Sequence, residues 1–326
     1  MIKTAEYARL GHPDRVCDII SDSLLDEFLR QDPNSRVAIE VFGCHGIITV
    51  GGEVTSKAYV DVSKIVKDVY KEIGYKDEVG VQVNIVSQSP EISDLADEGA
   101  GDSGIVTGYA CNETPEMLPL EVAIAKRIAN KMDCSGQNML LPDGKVQVSV
   151  EDGVVKNVVV SYQAEKNRHE FVSEIIEEVL NSKDLNIRHF DHDAKLIQFE
   201  QGGFDADTGL TGRKNALWYG PSVPIGGGAF AGKDPSKVDR SGAYWARKLA
   251  IEYLDELQNV SEVLTEMTFA IGKDKPISIK VNGEKKETVN TYEFIGRLDL
   301  KKPIYKKTSY KGHFGTDEFT WDKLDS

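Results

Sequence analysis

Lys145–Gln163 reads KVQVSVEDGVVKNVVVSYQ. Asp152-Gly153 stands between two β-prone arms, and a two-residue Asp-Gly loop is a strong hairpin signal because both positions tolerate positive φ. Working outward, residues 117–132 (MLPLEVAIAKRIANKM) and 169–181 (HEFVSEIIEEVLN) read as helices and Lys195–Glu200 as a strand. The order is helix, hairpin, helix, strand. It is present earlier in the chain too. Val16, Ile19, Ile20, Leu24 and Phe28 fall at helical spacing behind Pro13 and Asp14. Residues 36–43 and 46–55 read as strands around Gly43–Gly46, Ile65, Val66, Val69, Tyr70 and Ile73 mark a helix, and Val81, Val83 and Ile85 alternate. A third pass has a helix over 238–257, strands near 263–272 and 276–281 and a helix near 290–298. The recurrence predicts an α+β fold of three similar α/β units, each a small mixed sheet with helices on one face. We place the units at 1–88, 105–212 and 213–326, interleaved in space, with a Gly-rich loop over 89–104.

At about 150 residues per domain, 326 residues suit two domains or three small ones. Hydrophobic residues make up 40% and charged residues 28%, ordinary for a globular protein. Lys and Arg number 39 against 53 Asp and Glu, a net charge of −14. That balance argues against nucleic acid as a partner. It still allows an anionic ligand where local charge is positive. No apolar run reaches the roughly 18–20 residues of a membrane span, and MIKTAEYARLGHPDR lacks a signal-peptide core. The expectation is a cytoplasmic chain with no membrane partner. Cys17, Cys44, Cys111 and Cys134 form no CxxC pair, so no zinc site is expected and all four read as small buried hydrophobes.

The chemistry concentrates in Gln201–Arg240, QGGFDADTGLTGRKNALWYGPSVPIGGGAFAGKDPSKVDR. Glycines let backbone N–H groups approach an anion closely. Lys and Arg neutralise phosphate, and Asp can hold Mg²⁺ against the same oxygens. The interleaving fits a metal-polyphosphate site, against the plainer reading of a long solvated loop. GGAFAGKD at 227–234 approaches a P-loop but ends in Asp234, and no strong strand feeds it, so a Walker fold is rejected. GAGDSG at 99–104 matches GxGxxG without a preceding strand, so a dinucleotide fold is rejected too. Gly11-His12-Pro13-Asp14 opens a helix, where free N–H groups favour anions. His12 could donate to a phosphate oxygen; Asp14 could bind a cation, but helix capping is its better-supported role. Glu40 and Glu53 lie in apolar strands, either paired with a ligand or on an exposed strand face.

Together these segments resemble the S-adenosylmethionine synthetase (methionine adenosyltransferase) family over nearly the whole chain. The resemblance runs through GHPD at 11–14, VGGE at 50–53, QSP at 88–90, GAGD at 99–102, GYACNET at 108–114 and PDGK at 142–145. It continues through GLTGRK at 209–214, GGGAFAGKDPSKVDRS at 226–241 and GHFG at 312–315. It implies three similar units about a pseudo-threefold axis. The implied reaction transfers the adenosyl group of ATP to L-methionine, then splits the triphosphate to pyrophosphate and phosphate. A thioether has no proton to lose, so the chemistry needs charge stabilisation and positioning rather than a general base.

Matching motifs imply a catalytic set of His12, Lys145, Arg213, Lys214 and Lys233, with His12 near the breaking C5′–O bond. ATP would further meet Asp102 near the ribose, Asp143, Gly144, Asp207, Ala229, and Gln198 and Phe199 flanking the adenine. Methionine would meet Glu53, Gln88, Asp207 and Lys237. Asp14 and Asp239 would hold Mg²⁺, with two ions expected, and Glu40 K⁺. The family's site lies between subunits, so a homodimer is the implied minimum and a tetramer its pairing. Arg15 stands where the family has Lys, at what would be a phosphate contact; Leu10 replaces a Glu, GPSVPI at 220–225 is altered, and the gating loop over 88–98 is short. Another thioether acceptor, hydrolysis alone, or a non-catalytic nucleotide-binding subunit are the other readings.

Overall fold

The computed structural model describes residues 1–88, 99–136, 139–190, 194–257 and 259–324. The first part runs β1 (Ile2–Ala8), α1 (Pro13–Gln31), β2 (Arg36–Cys44), β3 (Ile47–Thr55), α2 (Val62–Ile73) and β4 (Gly80–Val86). The middle has β5 (Gly104–Cys111), α3 (Leu120–Cys134), β6 (Gly144–Glu151), β7 (Val154–Gln163), α4 (His169–Leu180), β8 (His189–Phe190) and β9 (Lys195–Phe199). The last part has β10 (Gly209–Leu210), α5 (Val238–Glu256), β11 (Glu262–Phe269), β12 (Ser278–Val281), β13 (Glu284–Lys286), α6 (Thr291–Arg297) and α7 (Tyr305–Lys311).

Each third carries a hairpin with the same two-residue turn. His45-Gly46, Asp152-Gly153 and Asn282-Gly283 all have positive φ at both positions, which is the I′ geometry that matches strand twist. The three sheets are β10-β2-β3-β4, β1-β6-β7 with β8 and β9 both on β7, and β13-β12-β11-β5. Parallel pairs β3–β4 and β7–β9 beside antiparallel hairpins make the first two sheets mixed, whereas the third is antiparallel throughout among the described residues. The units exchange strands in a circle. The first third lends β1 to the middle sheet, the middle lends β5 to the last, and the last lends β10 to the first. Neither β1 nor β5 is expected from local pattern, because their partners lie far off in sequence.

Each sheet carries a long helix packed on it, α1 on β2, α3 on β1 and β6, and α5 on β5 and β11, and the three share one core. Residues 13–25 of α1 are buried, so this helix is central rather than half-solvated. Cys17 and Cys111 are buried as expected. Cys44 is only half-buried at the end of β2, and Cys134 is exposed at the last position of α3. Arg247 on α5 staples the C-terminal segment. Its Nε donates to Asp322 at 2.8 Å, and its remaining donors reach the carbonyls of Tyr109, Met117 and Glu116. No helix among the described residues is long and apolar enough to cross a membrane.

Candidate active site

The site starts at the N-terminus of α1. Gly11 N–H donates to the Pro142 carbonyl at 3.1 Å, and Arg9 N–H to that of Gly144 at 3.0 Å, so GHPD and PDGK touch. The Tyr75 hydroxyl donates to the Gly11 carbonyl at 2.5 Å and fixes the turn. His12, and not Asp14, caps the helix: its Nδ1 accepts the Asp14 N–H at 3.2 Å. The ring therefore carries its proton on Nε2, as a neutral donor. Burial first, then the Lys214 charge, pushes His12 down to about 4 from 6.5. The neutral ring stabilises the fold fully above the unfolded value, and that contribution is lost as pH falls from 6.5 towards about 4. In an NMR titration His12 should stay neutral from pH 8 to about pH 5; a midpoint near 6.5 would contradict the assignment.

Asp14 is freed from capping and turns to the GLTGRK segment. Its Oδ1 accepts the Leu210 N–H at 2.9 Å, Lys214 Nζ lies 2.5 Å from Oδ2, and Arg213 is 3.6 Å from Oδ1. Lys145 on β6 pairs with Glu6 on β1 at 3.2 Å. Burial raises Glu6, but Gln147 and Lys145 together outweigh it and hold the carboxyl below its usual value. The charges of Lys214, Asp14, Lys145 and Asp207 all act on His12, which places these groups in one neighbourhood. Glu6 was missed from sequence; β1 was not read as a strand, and its register opposite Gln147 gives the carboxylate its place.

The glycine–lysine segment forms the second half. Residues 232–234 complete the edge of β2: Ile39 N–H donates to Gly232, Asp234 N–H to Val37, and Lys233 bridges Ala38. Gly232 has φ +78°, and a Cβ there would lie 2.0 Å from the Ile39 oxygen. Lys233 Nζ meets Asp239 Oδ2 at 2.6 Å in the first turn of α5. Gly228 lies directly on that carboxylate, where a Cβ would come within 2.1 Å of its carbon. Half-buried Ala229 follows in the same turn, and Lys237 is buried at the helix start. Across the sheet, Lys233 stands opposite Ala38, Ala38 opposite Glu53, and Glu53 opposite Val86. Gln88 lies two residues on, its Oε1 buried with no hydrogen-bond partner among the described residues. Glu40 opens to solvent; partial burial still raises its carboxyl, with Lys233 pulling the other way.

Other expected positions are occupied by structural bonds. Asp143 Oδ1 accepts its neighbour Gly144 N–H and Oδ2 the Gly203 N–H, so this carboxylate clamps a turn. Gln198 bonds Tyr162, the Arg168 N–H and the Ala164 carbonyl. The strand register sets Gly144, Tyr162 and Gln198 in one row and Gln163 opposite Phe199 in the next, where the Gln163 N–H donates to the Asp143 carbonyl at 3.1 Å. Asp102 and Asp207 each accept the N–H of the next residue, and among the described residues neither carboxylate is hydrogen-bonded to a lysine. Arg15 is a correction. It is buried, donating to the Ala8 and Ser309 carbonyls and lying 5.4 Å from the Trp218 ring, so it is no phosphate ligand. The expected gating loop falls on residues 89–98, outside those described.

Among the described residues no three metal-ligating side chains cluster. Asp14 and Asp239, single carboxylates each beside a lysine, suit Mg²⁺ that takes its remaining ligands from phosphates and water rather than from a protein cage.

Cations alternating with carboxylates around glycine turns, on three α/β units, make a site suited to a metal-bound polyphosphate nucleotide. Family models for the N-terminal, central and C-terminal domains of S-adenosylmethionine synthetase match residues 1–95, 97–199 and 201–323. The chain belongs to the S-adenosylmethionine synthetase family. It is 39% identical to the S-adenosylmethionine synthase of Sulfurovum sp. (strain NBC37-1), over 99% of this chain and 96% of that protein. It is 36% and 38% identical to those of Deinococcus deserti and Pseudothermotoga lettingae, with the same coverage. The first alignment runs over 375 positions against 326 residues here, so that relative carries stretches this chain lacks.

Proposed function

We propose that the chain is an ATP-dependent methionine adenosyltransferase that makes S-adenosylmethionine and then hydrolyses the triphosphate. The observation that carries this is the full-length family match joined to one cluster of His12, Asp14, Lys145, Arg213 and Lys214. The methionine sulfur attacks C5′, a C–S bond forms, and the C5′–O bond breaks with its electron pair leaving on the triphosphate. Sulfur becomes a sulfonium, and no proton moves in that step. Neutral His12 offers its Nε2–H to the departing oxygen. Lys145, Arg213, Lys214 and Lys233 stabilise the growing charge. Asp102, Asp143, Gly144, Asp207, Gln198, Phe199 and Ala229 would line the nucleotide. Glu53, Gln88 and Lys237 would orient methionine, and the Gln88 oxygen, without a partner among the described residues, supports that role by offering an acceptor for its ammonium.

Asp14 and Asp239 would hold Mg²⁺, which neutralises phosphate charge when bound, and Glu40 would hold K⁺. Asp14→Asn should raise the Mg²⁺ concentration needed for half-maximal rate several-fold; an unaltered Mg²⁺ titration would return Asp14 to a purely structural role. We further propose a homodimer as the working unit, with pairing to a tetramer. Phe42, Ile47 and Val86 leave one face of a sheet with exposed apolar residues that a second copy would cover. Its place is the cytoplasm, where ATP is available. The test is a product assay with ATP, Mg²⁺ and K⁺, with and without L-methionine. Equal, methionine-dependent amounts of S-adenosylmethionine, pyrophosphate and phosphate are expected. Phosphate without S-adenosylmethionine would overturn the transfer reading.

A further inference from the structure

Asp14, Asp18, Asp22 and Asp26 recur at intervals of four along α1, and so lie along one side of the helix. Asp is a poor helix-interior residue, and burying a carboxylate is costly. Four such residues on a central helix need a compensating use. Each has one, and in order. Asp14 accepts from Leu210 N–H. Asp18 Oδ1 accepts from Gly212 N–H at 2.8 Å. Asp22 Oδ1 accepts from Gly232 N–H at 2.8 Å, and the same carboxylate holds Arg240, which donates onward to the Lys233 carbonyl at 3.1 Å. Asp26 accepts from Tyr305 and Lys306 N–H at the start of α7.

The opposite sides of the same two turns are held by β2. Thr211 bonds Val41, and Gly232 accepts from Ile39 N–H. Both glycine turns are thus gripped between an aspartate on α1 and the edge of β2. Gly212 adjoins Arg213, with Lys214 next, and Gly232 adjoins Lys233.

We propose that Asp18 and Asp22 are positioning residues. They set the GLTGRK turn and the glycine–lysine turn at a fixed spacing along α1, so that lysines from two distant segments address one triphosphate. They touch no substrate and act only through the Gly212 and Gly232 amides and Arg240. The inference rests on the polyphosphate reading above.

The test measures binding of tripolyphosphate with Mg²⁺ by calorimetry on the full chain, together with amide exchange over 209–214 and 227–234. Asp18→Ala should weaken binding by about tenfold, the scale of one lost buried hydrogen bond, and speed exchange over 209–214. Asp18→Asn keeps an acceptor for Gly212 and should restore both. Asp26→Ala removes an equally placed carboxylate that serves α7 alone; it should lower the melting temperature and leave tripolyphosphate affinity unchanged. Asp22→Ala should speed exchange over 227–234. Should that variant not fold, because Arg240 loses its partner, the Asp18 series decides. Equal loss of affinity in Asp18→Ala and Asp26→Ala, or none in Asp18→Ala, would overturn the inference. Failure of the parent chain to bind tripolyphosphate would overturn the polyphosphate reading itself, and this inference with it.

Discussion

Lys233→Ala is expected to lower kcat by about 10²–10³, the usual consequence of removing a preorganised charge-stabilising donor. The backbone at this position is fixed from two sides, by the bridge to Ala38 and by Arg240 on its carbonyl. Truncating the side chain therefore leaves the turn in place, and the loss falls on chemistry. The ammonium lies 2.6 Å from Asp239 without ligand. Its removal strips that carboxylate of its partner and makes the pocket more negative, so triphosphate should also bind less well. Lys233→Arg keeps the charge but not the geometry and should recover only part of the rate. A kcat within about threefold of the parent, with intact binding, would remove Lys233 from the catalytic set.

The largest stability effect is expected at Asp322. Its carboxylate and the Arg247 guanidinium are both fully buried and 2.8 Å apart, and the other Asp322 oxygen accepts the Thr316 N–H at 2.5 Å. Replacing a buried pair with apolar groups can be neutral, but deleting one member strands the other. Asp322→Ala leaves the guanidinium with only carbonyl partners in the interior. A loss of roughly 3–5 kcal/mol is expected, seen as a clear drop in the thermal midpoint. Asp322→Ala melting with the parent would show that the carbonyls of Tyr109, Met117 and Glu116 alone satisfy Arg247.

What was legible in the chain follows the range of the interactions. Asp152-Gly153 announced its hairpin because the turn geometry is set by two residues. Asn282-Gly283 carries the same signal, but its short arms Ser278–Val281 and Glu284–Lys286 lack a strong alternating pattern. β1 and β5 escaped because a lent strand is stabilised by partners more than a hundred residues away. At the site, residue types and their motifs were readable, while directions were not. Asp14 looks like a cap until His12 is seen to take that place. Arg15 looks like a phosphate ligand until the Ala8 and Ser309 carbonyls claim it. Asp18 and Asp22 drew no notice in the sequence, since nothing local says that residues 13–25 of α1 are all buried.

The circular lending of strands also bears on synthesis at the ribosome. Ile2 pairs with Glu151 and Ala8 with Lys145, so the first strand made has no partner until some 140 residues later. At about 5–20 residues per second that is a wait of roughly 7–30 s. β5 waits similarly for β11, and the edge of β2 for β10. The middle and last sheets close on a strand already made, whereas the first sheet must wait for β10, and β1 and β5 stay unpaired until β6 and β11 are made. Nascent chains cut short at either strand exchange should therefore be captured by holdase chaperones rather than released as folded fragments.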